Sequence, residues 1–478
     1  MDIISALNSF ITEIFTAAAN FIEDPRGMVE LEERITAASH NTNARILEQI
    51  LTEYDEFLRN LPDVKRQYVI QRRRERTLIT TFGDVTFKRT LYKNIEDGSY
   101  HFLLDEKMQL PKDEHFSSLA EVRVLQEASR SSYQKAADSL RIGGQTISKV
   151  AVMNKVHGIE EELPIKESAV KKVCKYLYIE ADEDHIHRQK SDDKEGCIIG
   201  KLVYIYEGKE DVCKGKRRLT GAVYLGGRYA GSDGNRKLWE RVDEYIRKTY
   251  DTEAIKRIYI LGDGASWIKA GADYIFKGRF VADKYHLMKY INAAARQMLD
   301  DEEEIKEAFY RHIYKGRKQS AQKLIERMKK SAENIKPIEA LESFLMNNWE
   351  AIRWAYKDKH VYGCSAEGHV SHIYADRMSS RPMGWSETGA DRMCRLRCLI
   401  KSEGEGKIIE LVEARRRRIY EELAATGTEG IRVETTTVRR KLTQAQKESA
   451  YYAERLHARF NNTLTRKKIA IKLHISDL

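Results

Sequence analysis

The sequence predicts a mixed α/β core set between helical regions, and three observations carry that prediction. Apolar positions recur at steps of three and four up to about residue 75 and again over 115–157, the period of amphipathic helices. From about 172 the pattern changes to short runs rich in β-branched and aromatic residues. Two of those runs end on a carboxylate, Tyr176–Asp182 and Arg257–Asp263.

Residues 1–76 form the first predicted region. It is helical and closes on the charged run Gln71-Arg-Arg-Arg-Glu-Arg76, read either as a solvated helix face or as a phosphate-contacting patch. Residues 77–112 follow as a small β-hairpin region, with Gly83-Asp84 at the turn of Thr77–Tyr92. Residues 113–165 read as a helix-turn-helix region. There Ser132–Leu140 and Gln145–Lys155 flank Arg-Ile-Gly-Gly, so that Gln145, Thr146, Ser148, Lys149 and Lys155 would face bases or phosphates. Any two-helix hairpin with a Gly-Gly turn shares that outline.

Residues 166–403 form the predicted catalytic core. Lys172–Ala181, Cys197–Tyr206 and Arg218–Leu225 are strand-like and suggest an antiparallel meander. A helix (Arg236–Tyr250), a strand (Arg257–Leu261), a helix near Ala265–Tyr274 and a strand (Gly278–Ala282) come next. Three strands, helix, strand, helix, strand is the order of the ribonuclease H-like fold, here with a helical insertion over about 284–360. Residues 404–478 are predicted to be a basic helical tail, with Arg415–Arg418, Arg439-Arg-Lys441 and Arg466-Lys-Lys468.

Composition limits the partners. The net charge of +10 fits a polyanion without requiring one. The first stretch has no basic start and carries Asp2 and Glu13, so it reads as an amphipathic helix rather than a secretory signal. No uncharged apolar run is long enough for a membrane span. The six cysteines contain no CxxC pair, which fits free thiols in a reducing cytoplasm.

The acidic residues carry the chemistry. On a strand Glu180, Asp182 and Asp184 share a face; Asp182, where the apolar run gives way, is the first choice as a ligand and Asp184 the reserve. Asp263 ends a strongly apolar strand in Gly-Asp-Gly, at the carboxyl edge where α/β sites form, although Asp-Gly is also an ordinary turn pair. Glu367 opens a helix in Cys364-Ser-Ala-Glu-Gly-His, with Glu387 as its rival. Arg377, Arg381, Arg392, Arg395 and Arg397 follow as phosphate-contact candidates. Two strand-end carboxylates and one helix carboxylate can hold two divalent cations about 3.5–4 Å apart for in-line attack on a phosphodiester. A zinc site drawn from His185, His187, His286, His369 and His372 is the competing reading.

Asp182-Glu-Asp-His, Gly262-Asp-Gly-Ala, Asp283-Lys-Tyr-His286-Leu, Ser365-Ala-Glu-Gly-His-Val-Ser-His and Ser379-Ser-Arg-Pro-Met-Gly-Trp-Ser386 together resemble the ISLre family of insertion-sequence transposases, relatives of the Mutator-like DDE enzymes. The resemblance runs over nearly the whole chain and rests on the ordered set. It implies a catalytic and metal-binding triad of Asp182, Asp263 and Glu367, two Mg²⁺ ions with Mn²⁺ able to substitute, and supporting roles for Asp184, Asp283 and His286. It implies that DNA, both terminal inverted repeats and target, is the partner of a homodimer or larger oligomer. The rival expectations are a transposase-derived DNA-binding regulator without cleavage and a ribonuclease H-like nuclease.

Overall fold

A computed structural model describes residues 3–140, 147–159, 165–189, 196–213, 216–381 and 383–425. The elements begin with helices α1 (Ile3–Glu23), α2 (Met28–Asn60) and α3 (Pro62–Gln67), then strands β1 (Tyr68–Thr80), β2 (Gly83–Asn94) and β3 (Tyr100–His101). Helices α4 (Leu103–Lys107), α5 (Ser118–Arg130), α6 (Tyr133–Asp138) and α7 (Lys149–His157) follow. The core contains strands β4 (Tyr176–His187), β5 (Cys197–Tyr206), β6 (Gly208–Cys213), β7 (Lys216–Thr220) and β8 (Val223–Gly227), helix α8 (Gly231–Thr249) and strand β9 (Arg257–Gly262). Helices α9 (Ser266–Lys269) and α10 (Gly271–Tyr274) lead to β10 (Gly278–Ala282). Helices α11 (Lys284–Ala295), α12 (Glu302–Lys315), α13 (Lys318–Ser331), α14 (Lys336–Asn347) and α15 (Trp349–Lys357) come before α16 (Ala366–Val370), α17 (Asp376–Met378), α18 (Glu387–Glu403) and α19 (Lys407–Ala425).

The chain divides into two compact units. One comprises Met1–Leu51, Glu75–Phe87 and Asp113–Arg417; the other comprises Thr52–Arg74, Lys88–Lys112 and the chain from Arg418 on. In the smaller unit the buried Asp55 carboxylate accepts the Thr90 amide (2.9 Å) and hydroxyl (2.6 Å), and Tyr68 packs edge-on against Tyr92 and His101.

The larger unit is built on a five-stranded sheet of order β10-β9-β4-β5-β8. The neighbours β4/β5 and β5/β8 are antiparallel, and β4/β9 and β9/β10 are parallel. A three-strand meander followed by two crossovers through α8 and through α9–α10 produces this mixed sheet. Strand alternation gives the sheet two faces. Leu177, Ile179 and Ala181 pack with Leu238, Trp239, Val242 and Ile246 of α8, while Tyr178, Tyr204, Tyr206, Tyr224 and Tyr259 pack with the helices α5–α7 and α16–α18. Residues 284–357 form helices α11–α15 around a core of their own, including Ile291, Phe309, Ile325 and Leu341.

Several sequence expectations change here. The run 71–76 lies in β1, not at a helix end, and Arg76 is buried with its guanidinium on the Glu114 carbonyl (2.6 Å). The hairpin turn falls at Thr81-Phe82, two residues before Gly83-Asp84. The run Arg218–Leu225 is split between β7 and β8, because β6 and β7 pair as a separate charged hairpin.

The second helix of the expected helix-turn-helix starts at Lys149, with the Ser148 hydroxyl capping it by accepting the Ala151 amide (3.1 Å). Ser148 and Lys149 are exposed there, while Gln145 and Thr146 lie outside the described residues. Lys155 is not a nucleic-acid contact but a half-buried partner of Glu114 (2.5 Å). Arg415 and Arg416 likewise turn inward, onto the wholly buried Glu121. Glu121→Ala would take from Arg415 its carboxylate partner and leave Arg416 with the Phe116 carbonyl and the more distant Glu114 carboxylate, beside Lys155. It is expected to cost about 3–5 kcal/mol, read from urea unfolding; a loss under about 1 kcal/mol would show that the cluster is not held by charge.

Among the described residues no helix is long and apolar enough to cross a membrane. All six cysteines are free, with Cys394 and Cys398 buried on α18.

Candidate active site

Register alone brings three aspartates side by side. Glu180 of β4 pairs with Leu261 of β9, and Leu261 pairs with Val281 of β10. Two residues further on in each strand direction stands an aspartate: Asp263 and Asp283 directly follow the ends of β9 and β10, whereas Asp182 lies inside β4, which runs on to His187 beside β5 rather than ending there as the sequence suggests. Parallel neighbours lie about 4.8 Å apart, so the three carboxylates leave adjacent strands at one level and on one face. The Asp283 amide donates to the Gly262 carbonyl (3.0 Å), which ties the β9 and β10 ends together. Opposite them stands α16, and its first turn carries Glu367. Asp182, Asp263, Asp283, His286, Ser365 and Glu367 line one cavity of about 180 Å³.

The polar contacts are few. Asp263 accepts the Ala265 amide (2.8 Å) and Asp182 the Glu183 amide (2.9 Å). Burial pushes the Asp182 carboxyl up to about 6, and the charge of Asp263 adds to that rise. Asp283 caps α11 by accepting the Tyr285 amide (3.0 Å) and holds His286 Nδ1 at 2.8 Å. That hydrogen bond raises the His286 pKa against the opposing effect of burial, with further help from the charges of Asp283, Asp263 and Asp182. Stability from a raised histidine is complete below the unfolded pKa near 6.5 and is lost as pH rises through the folded value. Asp283→Asn is expected to lower the His286 pKa and move that loss to lower pH. An NMR titration of the ring that shows no downward shift would contradict the contact.

Glu367 is held in place from below. The start of α16 is clamped by Glu180, whose carboxylate is fully buried. It accepts the Ser365 amide (2.5 Å) and hydroxyl (3.1 Å), the hydroxyls of Tyr206 (2.6 Å) and Tyr204, and the Lys209 ammonium (3.1 Å). Burial pushes the Glu180 pKa up, but Lys209, the two phenols and the Ser365 amide more than offset it, and the net shift is downward. Lys209 also donates to the Gly363 carbonyl (2.5 Å). Sequence reasoning put Glu180 on the acidic face but missed this role, because its counter-ion comes from the unforeseen hairpin β6–β7. The chain then passes through a π-helical turn, Ser371–Ala375, a feature frequent at functional sites.

The rivals separate. Asp184 is not in the cavity; it accepts the Ser379 hydroxyl (2.9 Å). Glu387 is paired with Arg188 and Arg228, both at 2.9 Å. Arg377 is a correction: it is buried, donates to the Ala128 carbonyl (3.0 Å) and packs over Trp385, so it faces the core rather than DNA. Arg395 is committed to Asp391 (2.9 Å) and Arg397 to backbone carbonyls, whereas Arg381 is exposed.

The histidines do not gather. His369 packs at a tilt against Tyr204 and Tyr224, burial depresses its pKa to about 4, and His185 and His187 are exposed. Among the described residues no three His, Cys, Asp or Glu side chains are close enough to hold an ion as they stand. The donors that line the cavity are nonetheless carboxylate oxygens, the set that suits Mg²⁺ or Mn²⁺ rather than zinc. Asp182 is an acid destabilised by burial and by a neighbouring acid, as a cation ligand would be.

Residues 23–417 match the model of the uncharacterised protein family UPF0236. The chain belongs to that family. A UPF0236 protein of Caldanaerobacter subterraneus subsp. tengcongensis is 34% identical over 409 residues, spanning 85% of this chain and 84% of the relative, and carries eleven locus names in that genome. Another from the same organism, TTE2489, is 33% identical over 85% of both chains. A third, TTE1650/TTE2708, is 34% identical over 85% of this chain and 80% of its own length. Among solved structures, the Drosophila P element transposase strand transfer complex aligns with this UPF0236 chain at 13% identity, over 69% of this chain and 97% of that one, with a TM-score of 0.23; likeness at that level carries no argument.

Proposed function

We propose that this UPF0236 protein is a DNA transposase of an insertion sequence, acting in the cytoplasm through a DDE triad on a ribonuclease H-like core. The observation that carries the reading is the single cavity shared by Asp182 on β4, Asp263 at the end of the adjacent β9, and Glu367 on the clamped helix. Relatives present in several copies in one genome support it, since insertion-sequence transposases multiply in that way.

Asp182, Asp263 and Glu367 would hold two Mg²⁺ ions, with Mn²⁺ able to substitute. When bound, such ions activate the attacking hydroxyl and stabilise the leaving oxygen. The residues themselves align the phosphodiester between the strand ends and α16. His286, whose pKa the Asp283 hydrogen bond raises, lines the same cavity and would complement the phosphate when protonated. Exposed Ser148, Lys149 and Arg381 remain the candidates for phosphate contact outside the cavity. Bringing two element ends together calls for at least a dimer.

The test is strand transfer. DNA flanking the gene is expected to contain inverted repeats bounded by short direct duplications. A duplex ending in such a repeat, incubated with protein and Mg²⁺, is expected to be cut and its 3′ end joined to a plasmid. Specific binding without cutting would identify a regulator, and cutting without joining a nuclease.

A further inference from the structure

A second cavity, of about 330 Å³, shares Asp263 with the first. Its walls are Asp263, Gly264 and Lys269 from the β9 end and α9, and Tyr290, Phe344 and Asn348 from the helical insertion. That volume lies at the lower end of the range for small-ligand sites and exceeds what one nucleobase needs.

Asn348 is the informative residue. It is 6% exposed, and it lies between α14 and α15. Its Nδ2 donates to the Phe344 carbonyl at 2.8 Å. A carbonyl can only accept, so the nitrogen is identified and Oδ1 is the atom left over. Oδ1 is buried and has no hydrogen-bond partner among the described residues. An orphaned acceptor of this kind costs free energy in the absence of a donor. Gly264, with φ +92°, has Asn348 Oδ1 3.2 Å from where a Cβ would sit, so the absence of a side chain there lets the amide reach the cavity beside Asp263. The Tyr290 ring lines the space and is backed by Phe344 at 4.8 Å. Lys269 lines it too, with no ion pair among the described residues.

We infer that this cavity is a nucleotide subsite, taking one unstacked nucleotide of the bound DNA next to the phosphate under attack. The inference rests on the proposed DNA chemistry of the neighbouring site, because Asp263 is shared by both. An N–H on the Watson–Crick edge of the base donates to Asn348 Oδ1. Tyr290 contacts the ring, and Lys269 meets the phosphate. Extruding a base costs stacking and pairing, and an aromatic wall with a buried acceptor offsets that cost.

The experiment uses duplexes that carry the repeat end, with 2-aminopurine placed singly at each position around the cleavage site and Ca²⁺ replacing Mg²⁺ to hold back cleavage. One position next to the cleavage site is expected to brighten with wild-type protein and to stay quenched with Asn348→Leu. Tyr290→Ala is expected to bind the same DNA roughly tenfold more weakly or worse. Tyr290→Ala is also expected to cut this DNA more slowly in Mg²⁺, and an abasic site at the bright position, which removes the cost of extruding a base, is expected to restore its cutting, which a merely misfolded variant would not allow. Wild-type protein that cuts the DNA while every position stays quenched overturns the subsite alone, as does Asn348→Leu brightening like wild type. Wild-type protein that neither binds nor cuts overturns the subsite and the transposase reading together.

Discussion

Asp182→Asn is expected to stop DNA cleavage while making the metal-free protein more stable at neutral pH. The two effects have opposite signs because the same carboxylate serves chemistry and opposes folding. Its pKa is raised to about 6 in the folded protein from an ordinary value of 3.8. A raised acid contributes stability that is complete below pH 3.8 and is lost as pH rises toward 6. At pH 7 the ionised Asp182 therefore costs on the order of 3 kcal/mol, which Asn removes. The expected readings are a higher Tm for the variant in EDTA at pH 7, no such gain at pH 4, and loss of most of the Tm rise that Mg²⁺ gives wild type. Cleavage should fall by roughly 10³-fold or more, as when metal-assisted charge stabilisation worth several kcal/mol is lost. A variant no more stable than wild type in EDTA would show that Asp182 is not held against its ionised form.

Glu180→Ala is expected to cost about 3–5 kcal/mol, because it leaves a nearly buried ammonium without its counter-ion. Lys209 is 9% exposed and Glu180 not at all. Two phenols, with pKa values raised far above their usual range by burial and by the charge of Glu180, would lose their acceptor. The Ser365 amide and hydroxyl would lose theirs too, and the start of α16 would come free of the sheet. Glu180→Gln keeps the shape and some of the acceptors, so it should fold and isolate the positioning effect. It is expected to lower the cleavage rate with little change in DNA affinity, since Glu180 holds Glu367 in place without touching DNA. Equal activity for Glu180→Gln and wild type would mean that the clamp serves folding alone.

The parts of this fold that local pattern determines were readable in the chain. Arg257–Leu261 is apolar and ends in Gly-Asp-Gly, so Asp263 could be placed at a strand end before any partner strand was known. The insertion helices announce themselves by period, and residues 284–357 bury Ile291, Phe309 and Ile325 as that period requires. Asp182 and Asp184 could not be separated, because they share a face and a chemistry; the pairing of β4 with β9, more than seventy residues away, decides which one lies beside Asp263. The run 71–76 looks helical by charge, yet it lies in a strand of the β1–β2–β3 sheet. The hairpin β6–β7 has almost no apolar pattern, so nothing local marks it, and with it went the counter-ion of Glu180. Arg377 carries no mark that it turns inward; only the carbonyl of Ala128, remote in sequence, shows it.

The most direct test of the central claim is the rate at which Asp263→Asn protein cuts repeat-ended DNA in Mg²⁺, measured beside wild type and Asp184→Asn. Asp263 is the carboxylate common to the row of three aspartates and to both cavities, and Asp184 shares the acidic face of β4 but is bonded to Ser379 outside the cavity. The account predicts a loss of roughly 10³-fold or more for Asp263→Asn and a near wild-type rate for Asp184→Asn. An Asp263→Asn protein that cuts the same DNA at the wild-type rate would contradict it.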